Sequence, residues 1–336
     1  MKPKVCIIIL MYNTVSKLGK NFLINALNSI SSQDYENFEL IIIDNGSIDN
    51  TSSYVRKYFL NQGNSNKVKW HILTLLKNYG WSGGNNRGAI MCRGMDYLFF
   101  VNDDVIFLDN NVISKLVDFL IRNPEIGAVQ PLIINRDKSI NCGFDIGFTT
   151  LVEPNTDPNS EPFFVSGAAL FTRNDVFFKV GGFDEDLFLM HDDLDYCYRV
   201  RLAGYGVKCL KEVRVYHYGG ATFGQSPLTW YFYLRNAFYV LAKNSEIMYL
   251  LLRISLLIVE ELMGNFWYAF RRLKRYDLAL VTIMAITHGL LKLGKFLTKR
   301  HEIYKNVSER HLIRKIDPRI DLMRILPQVY RYARRT

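Results

Sequence analysis

The chain has 336 residues, of which 49% are hydrophobic and 22% charged. That composition is typical of a globular protein and excludes a disordered or collagen-like chain. Its formal net charge of +10 is uneven, because residues 265–336 carry 17 Lys+Arg against 5 Asp+Glu, whereas residues 1–264 carry 25 against 27. The basic last fifth of the chain indicates an anionic partner, either a nucleic acid or a membrane surface.

Five cysteines, an odd number, lie far apart at positions 6, 92, 142, 197 and 209. Such spacing predicts neither a disulfide scaffold nor a cysteine-built zinc site, and it favours a reducing compartment. The apolar run Val5–Met11 is short and lacks a small-residue cleavage site. We therefore interpret it as a buried strand and not as a signal peptide.

Apolar runs and helical segments alternate over the first 105 residues. Buried strands are predicted at 5–11, 38–43, 69–75 and 97–101, with helices at 23–30, 49–58 and 88–93. This alternation predicts an α/β fold with a doubly wound, mostly parallel sheet. Ligands bind beyond the carboxyl ends of such strands, and there the sequence places Asn13, Asp44 and Asn102-Asp103-Asp104.

The rest of the chain divides into two parts. Residues 135–162 are predicted to form a long loop, followed by a strand at 166–171, a helix at 192–203 that ends at Gly204, and short strands at 207–210 and 213–216. The composition changes at about residue 229. We therefore predict a sheet domain at 1–228 and a helical, basic and apolar region at 229–336.

Two helices of the C-terminal region have unusual faces. The helix at 247–264 carries Glu246, Arg253 and Glu260 on one narrow stripe of an otherwise apolar surface. The helix at 278–297 separates an apolar face (Leu280, Met284, Leu291) from a basic one (His288, Lys292, Lys295, Lys299). A membrane span is longer and cleaner than either, so we interpret both as interfacial or buried helices of a membrane-surface anchor. True membrane spans at 247–264 or 278–297 are the alternative.

Asn102-Asp103-Asp104 is the strongest local signal for chemistry. Adjacent carboxylates repel each other, so their clustering favours a bound cation. Oxygen ligands at a strand end suit Mg²⁺ or Mn²⁺ bridging to phosphates. The alternative is a polar loop in which Asp103 or Asp104 caps the next helix.

Three further segments have candidate functional residues. The acidic stretch Gly181–Asp195 offers a general base, with an acidic helix start as the alternative. The glycine-rich stretch 77–88 would place backbone N–H groups against an anion, although it matches neither a Walker A loop nor a dinucleotide fingerprint. His217 is a candidate metal ligand, although a lone histidine is more often structural.

Taken in order, these motifs resemble the inverting family 2 glycosyltransferases of the GT-A fold, and most of all their rhamnosyltransferase-like and galactofuranosyltransferase-like branch. The resemblance covers about residues 1–240. The motifs that carry it are Tyr12-Asn13, the segments 43–51 and 78–88, Asn102-Asp103-Asp104-Val105, and the segments 165–169, 181–202 and 216–220. Each motif is weak alone, but six or more in the right order are specific.

The resemblance implies a role for each matching residue. Asp44 would contact the nucleotide base, with Asn13 nearby, and Asp103 would face the ribose. The loop Gly83–Asn86 would line the diphosphate and sugar pocket. The full donor-binding set that it implies is Asn13, Asp44, Asn78, Gly83, Asn86 and Asp103.

The resemblance also implies the catalytic residues. Asp104 and His217 would bind Mn²⁺ or Mg²⁺, and Asp193 would be the catalytic base. Trp81, His191 and Asp192 are candidate acceptor or specificity residues. The family often has Glu-Asp where this chain has Asp192-Asp193, which puts the acceptor contacts in doubt but not the base.

Together these features predict metal-dependent, inverting transfer of a sugar from a UDP- or dTDP-sugar to a hydroxyl of a glycan or lipid-linked glycan. The alternatives are a sugar-phosphate nucleotidyltransferase and a non-enzymatic binder of nucleic acid or another anionic surface. A basic amphipathic helix after an apolar one favours an anionic membrane over nucleic acid. We therefore expect a peripheral protein on the cytoplasmic face of the cell membrane, with sugar, base and oligomeric state left open.

Overall fold

The computed structural model describes residues 2–62, 68–219 and 226–304. Its strands are β1 (Val5–Met11), β2 (Phe38–Asp44), β3 (Lys69–Thr74), β4 (Tyr97–Asn102), β5 (Val105–Phe107), β6 (Ile126–Asn135), β7 (Ile140–Asn141), β8 (Phe144–Ile146), β9 (Val152–Pro154), β10 (Ala169–Arg173) and β11 (Gly206–His217). Its helices are α1 (Thr14–Leu18), α2 (Lys20–Ser31), α3 (Thr51–Gln62), α4 (Gly80–Met91), α5 (Val112–Arg122), α6 (Asn174–Lys179), α7 (Asp192–Leu202), α8 (Pro227–Asn244), α9 (Ile247–Glu260), α10 (Tyr276–Leu291) and α11 (Leu293–Tyr304).

Within the described residues, nine strands form one mixed sheet in the order β3-β2-β1-β4-β10-β6-β11-β5, with β7 on β6. The first four are parallel, and β10 runs antiparallel to both of its neighbours. Side chains of β1 alternate between two apolar clusters, Ile7 and Ile9 on one face and Cys6 and Ile8 on the other. Burial on both faces explains the unbroken apolar runs of these strands.

The glycine-rich stretch is helical, which corrects the prediction of a loop at Gly83–Asn86. It forms most of α4, and two of its glycines, Gly84 and Gly88, pack closely against β1. A Cβ on Gly84 would lie 2.3 Å from Leu10 Cδ1, and one on Gly88 would lie 2.5 Å from Ile8 Cγ2. The pattern therefore reflects helix-to-sheet contact, which local sequence does not distinguish from an anion-binding loop.

Three other elements differ from their predicted form. The segment 135–162 is not a plain loop, because it contains β7 and the hairpin of β8 and β9. The two short strands after Gly204 are one strand, β11, with an irregularity between Leu210 and Arg214. The helix predicted at 278–297 breaks at Lys292 into α10 and α11.

Four of the five cysteines form disulfides, which corrects the prediction that the chain has no disulfide scaffold. Cys6 of β1 bonds to Cys92 after α4, and Cys142 bonds to Cys209 of β11, with Cα atoms 5.9 and 5.2 Å apart. Cys197 is free and buried. The pairs are 86 and 67 residues apart in sequence, so only the packing of the sheet and its helices brings them together.

The C-terminal helices pack on the sheet domain through charged side chains. Two π-helical segments, Glu261–Phe266 and Tyr268–Leu273, join α9 to α10. Lys295 and Lys299 of α11, which were predicted to lie on a basic face, contact Asp186 at 2.6 and 2.5 Å. Residues 305–336, which contain most of the predicted basic tail, lie outside the described residues.

No single helix in the described ranges has both the length and the apolar composition needed to cross a membrane. The bent pair Tyr276–Leu291 and Leu293–His301, at 45° to each other, meets that test only when the two helices are taken together.

Candidate functional site

Asn13 and Asp44 lie side by side at the carboxyl ends of β1 and β2. The backbone N–H of Asn13 donates to Ser47 Oγ, and Asn13 Oδ1 accepts from the Ile48 N–H, both at 2.9 Å. Asp44 Oδ1 accepts from the Ser47 N–H at 3.0 Å. The turn after β2 therefore binds both Asp44, the predicted contact to the nucleotide base, and Asn13, which is predicted to lie near it. The φ of 53° at Asn13 lies in the left-handed region, which asparagine tolerates.

Asp103 and Asp104 follow β4, the other neighbour of β1. Asp103 accepts a hydrogen bond from the Thr14 hydroxyl at the start of α1. Burial, and next the negative charge of Asp104, raise the pKa of Asp103 to about 6. Asp104 turns instead toward β11, where its Oδ1 lies 3.3 Å from His217 Nε2.

The pair of Asp104 and His217 fits a divalent cation. Asp104 Oδ1 is buried, and no donor in the described part of the chain reaches it with hydrogen-bond geometry. Gly219 keeps the space beside the pair open, because a Cβ there would come within 2.4 Å of both Asp104 Oδ2 and His217 Nε2. Among the described residues no group of three His, Cys, Asp or Glu side chains converges, so a cation here needs further ligands, such as phosphate oxygens.

Asp193 is the second residue of α7, and its half-buried carboxylate is fixed at both oxygens. Oδ2 accepts from the Gly167 N–H and Oδ1 from the Leu194 N–H, both at 2.9 Å. Burial raises the pKa of Asp193, although these donors oppose the shift. A carboxylate with a raised pKa and a fixed direction has the properties of a general base.

Trp81 of α4 lies between the acidic end of β4 and Gly167, whose N–H donates to Asp193. Its indole N–H donates to Asn102 Oδ1 at 2.8 Å. A Cβ on Gly167 would lie 2.8 Å from Trp81 Cζ2 and 3.5 Å from Asp193 Cβ. The structure thus brings three predicted elements together, namely the strand end at Asn102-Asp103-Asp104, Trp81 and Asp193.

His191 and Asp192 lie inside the protein. Asp192, 4% exposed, accepts a hydrogen bond from the Ser82 hydroxyl of α4, and burial and then Asp193 raise its pKa well above the usual value. His191, 6% exposed, packs against Tyr233 of α8 with ring centroids 4.6 Å apart. Burial lowers the pKa of His191 to about 4. In this structure both side chains contact the protein interior, and their acceptor role stays a prediction.

The segment before Asp192 is held in an unfavourable backbone conformation. Phe188, Met190 and His191 have φ of 67°, 70° and 62°, and each left-handed non-glycine residue costs about 1 kcal/mol or more. Asn236 of α8 donates to the carbonyls of Leu187, Leu189 and Met190 at 2.8–3.0 Å. Its neighbour Arg235 donates to the carbonyls of Asp186 and Leu187 at 3.0 Å.

The remaining residues that were predicted to bind the nucleotide-sugar donor form hydrogen bonds within the protein. Asn78 Oδ1 accepts from Asn45 Nδ2 at 3.0 Å and from the Gly80 N–H at 2.7 Å. Asn86 brackets Phe183, accepting from its N–H at 3.0 Å and donating to its carbonyl at 2.9 Å. The Gly83 carbonyl accepts from Arg87 within α4. Their role in binding the nucleotide-sugar donor stays a prediction.

Sequence reasoning missed two polar residues that organise this region. Asn45, 2% exposed, links the turn after β2 to the start of α4 through Asn78, Tyr79 and Gly80. Asn236, fully buried, supports the segment before α7. An asparagine within the apolar helix 227–244 was a visible signal, because a buried amide needs partners.

Comparison with known proteins places these observations in a family. The sequence profile described as Glycosyl transferase family 2 matches residues 6–177. An uncharacterized protein of Sinorhizobium fredii is 27% identical over 206 residues, and an uncharacterized glycosyltransferase of Rickettsia prowazekii is 25% identical over 205. These matches take in 56% of this chain but only 22% and 56% of those two relatives.

A relative with a more specific name is the N-acetylglucosaminyl-diphospho-decaprenol L-rhamnosyltransferase of Mycobacterium tuberculosis. It is 24% identical over 233 residues, which cover 60% of this chain and 73% of that protein.

Solved structures share the fold at low identity. The mannosyltransferase PcManGT of Pyrobaculum calidifontis, in complex with GDP-Man and Mn²⁺, superposes with a TM-score of 0.55 at 15% identity, over 90% of this chain and 85% of that one. S. aureus TarS in complex with UDP gives 0.54 at 16% identity, over 94% of this chain and all of that one. The GT-A-like α/β fold predicted from the sequence is confirmed.

Proposed function

The chain belongs to glycosyltransferase family 2, and from that premise we propose that it transfers a sugar from a UDP- or dTDP-linked donor to a hydroxyl of a glycan or lipid-linked glycan, with inversion at the anomeric carbon. One observation carries this proposal. The Asp193 carboxylate accepts hydrogen bonds from two backbone N–H groups, one of them that of Gly167. Gly167 lies beside Trp81, whose indole donates to Asn102 at the acidic strand end that includes Asp104.

The proposed reaction is a single displacement. Asp193 takes the proton of the acceptor hydroxyl while the oxygen of that hydroxyl forms a bond to the anomeric carbon. The bond from that carbon to the diphosphate oxygen breaks, and the nucleoside diphosphate leaves with the electron pair. Asp104 and His217 would hold Mn²⁺ or Mg²⁺, which when bound neutralises charge on the diphosphate.

Family relatives support the substrate classes. The name of the Mycobacterium tuberculosis relative specifies a rhamnosyl group and a diphospho-decaprenol carrier, and this supports a lipid-linked acceptor. The TarS and PcManGT structures contain UDP and GDP-Man with Mn²⁺, respectively, and support a nucleotide-sugar donor. Membership of a glycosyltransferase family weighs against nucleotidyl transfer.

The test is a nucleotide-sugar panel, screened by thermal shift with Mn²⁺ and followed by a product assay. We expect Asp193→Asn to keep donor affinity in calorimetry and to lower turnover by about 10²–10⁴-fold, the usual contribution of a general base. The matched control is Asp118→Asn, on α5, which should leave turnover unchanged. Release of pyrophosphate in place of a nucleoside diphosphate would contradict the proposal, as would lost donor binding in Asp193→Asn.

A further inference from the structure

The hairpin of α9, the two π-helical segments and α10 carries most of the exposed large apolar side chains found among the described residues. In the described part of the chain, 18 of the 28 exposed large apolar side chains lie between residues 247 and 291. Soluble monomers rarely expose apolar patches of this kind, and such patches mark contact surfaces.

The polarity of α9 is reversed relative to a helix on the surface of a soluble protein. Its outward side chains are apolar, with Met248 77% and Leu251 81% exposed. Its charged side chains point inward, where Arg253 donates to the Phe148 carbonyl at 2.6 Å and Glu260 accepts from the Thr149 hydroxyl at 2.5 Å. Contacts with the segment 135–162 therefore fix the apolar face of α9 outward.

The helix α10 has an exposed apolar face as well. Leu280, Ile283, Met284 and Leu291 are exposed at helical spacing, while Leu278, Thr282 and Ala285 are buried on the opposite side. The α10 helix packs on α8 and on the first π-helical segment. The two apolar faces thus belong to one packed hairpin.

The turn of the hairpin combines aromatic and basic side chains. Trp267, Tyr268, Phe270 and Tyr276 are 36–62% exposed, and aromatic residues of this type concentrate where a membrane meets water. Beside them Arg271, Arg272, Lys274 and Arg275 are exposed. Of the acidic residues next to this turn, Glu261 is buried and Asp277 pairs with Arg275 at 2.6 Å.

We propose that this hairpin, residues 247–291, is a docking surface for an anionic lipid bilayer, with the apolar faces in the interfacial region and the arginines at the headgroups. Charge complementarity argues for this partner over a second copy of the chain. A two-fold interface would bring the same exposed cations of both copies to one contact, where they repel. The basic face predicted at 278–297 is not this surface, since Lys295 and Lys299 contact Asp186.

Vesicle flotation of the full chain tests the proposal. We expect the chain to float with vesicles of phosphatidylcholine and phosphatidylglycerol and to bind more weakly to phosphatidylcholine alone. Leu251→Glu with Leu280→Glu should lower partitioning by roughly tenfold for each site, and Arg271→Gln with Arg272→Gln by roughly fivefold for each charge. Leu60→Glu, on α3 and 72% exposed, is the matched control and should float like the wild type.

Circular dichroism and thermal unfolding first confirm that each variant is folded. Flotation that survives both double substitutions assigns binding to other residues, such as the basic segment 305–336, and overturns the proposal. So does an equal loss in Leu60→Glu. Sedimentation that shows a dimer dissociated by Leu251→Glu with Leu280→Glu, together with no vesicle binding, assigns the surface to a second copy.

Discussion

The environment of the Asp193 carboxylate determines how the enzymatic rate is expected to change with pH. A general base must be deprotonated, and burial raises the pKa of Asp193 from the usual value of 3.8. Activity is therefore expected to be full above the raised pKa and to fall as the pH drops through it. We predict an acidic limb of kcat/KM with its midpoint above 3.8.

A pH–rate profile checks this prediction, with folding monitored at each pH. The affinity for the nucleotide-sugar donor, measured over the same range, separates the contribution of Asp103, which is proposed to bind that donor. A rate that stays constant down to pH values near 4 would contradict the role of Asp193.

The pair of Asp104 and His217 leads to a prediction about metal removal. Chelation by EDTA should abolish transfer, and Mn²⁺ or Mg²⁺ should restore it. His217→Ala should raise the Mn²⁺ concentration needed for half-maximal activity by roughly 10–100-fold, the usual range for a weakened metal site. His71→Ala, on β3 and partly exposed, is the matched control. Full activity in chelator would exclude a metal at this pair.

At the scale of elements, α8 supports the segment that leads to Asp193. Asn236→Ala removes the donors to three carbonyls just before Asp192. Unpaired buried carbonyls destabilise by about 1–3 kcal/mol, so the thermal midpoint should fall. We also expect kcat to fall by about tenfold or more because Asp193 is displaced, with the donor KM much less affected.

The control for this positioning role is Asn25→Ala, at an exposed site on α2. Separate measurement of kcat and KM below the unfolding temperature distinguishes positioning from general instability. Equal kcat values for wild type and Asn236→Ala would leave Asn236 with a purely structural role.

Secondary-structure elements with a clear local sequence pattern were predictable from the sequence, whereas those determined by tertiary contacts were not. The strands β1, β2 and β4 were predicted to within one residue, because burial on both faces produces continuous apolar runs. The helix α4 was predicted only from Gly88 onward, since its glycines contact β1 and do not form a turn. The pairing of Asp104 with His217 followed from the family resemblance rather than from spacing, and the hydrogen bond from the Gly167 N–H to Asp193 was not predicted.

At the scale of the whole molecule, buried ion pairs connect the C-terminal helices to α7. Lys243 of α8 contacts Asp184 at 2.6 Å and Asp195 of α7 at 2.7 Å, and all three are nearly inaccessible. Lys299 of α11 also contacts Asp184. The division predicted at residue 228 therefore crosses a shared charge network, in which α8 supplies a central cation.

Substitution of Lys243 tests how much this charge network contributes to the free energy of unfolding. Although Asp184 and Asp195 lose water on burial, the charges of their basic partners hold the pKa of each below its usual value. Their contribution to stability is present above pH values near 4 and is lost as the pH falls through the depressed pKa. Lys243→Met should lower the free energy of unfolding by about 3 kcal/mol at pH 7 and by less at a pH well below 4, where both carboxylates become protonated.

Denaturant titration at both pH values measures this difference. Lys69→Met removes an exposed pair with Glu39 at 2.6 Å, and it should cost less than about 1 kcal/mol. Equal costs for the two variants would show that burial adds nothing to the network.

The three left-handed residues before Asp192 have a consequence for engineering heat resistance. Glycine adopts that backbone region without a steric penalty, so Phe188→Gly or Met190→Gly would relieve local strain. The same change would widen the range of backbone conformations open to the segment that aims Asp193. Any gain in thermal tolerance from relieving this strain would therefore be offset by a lower rate of the proposed reaction.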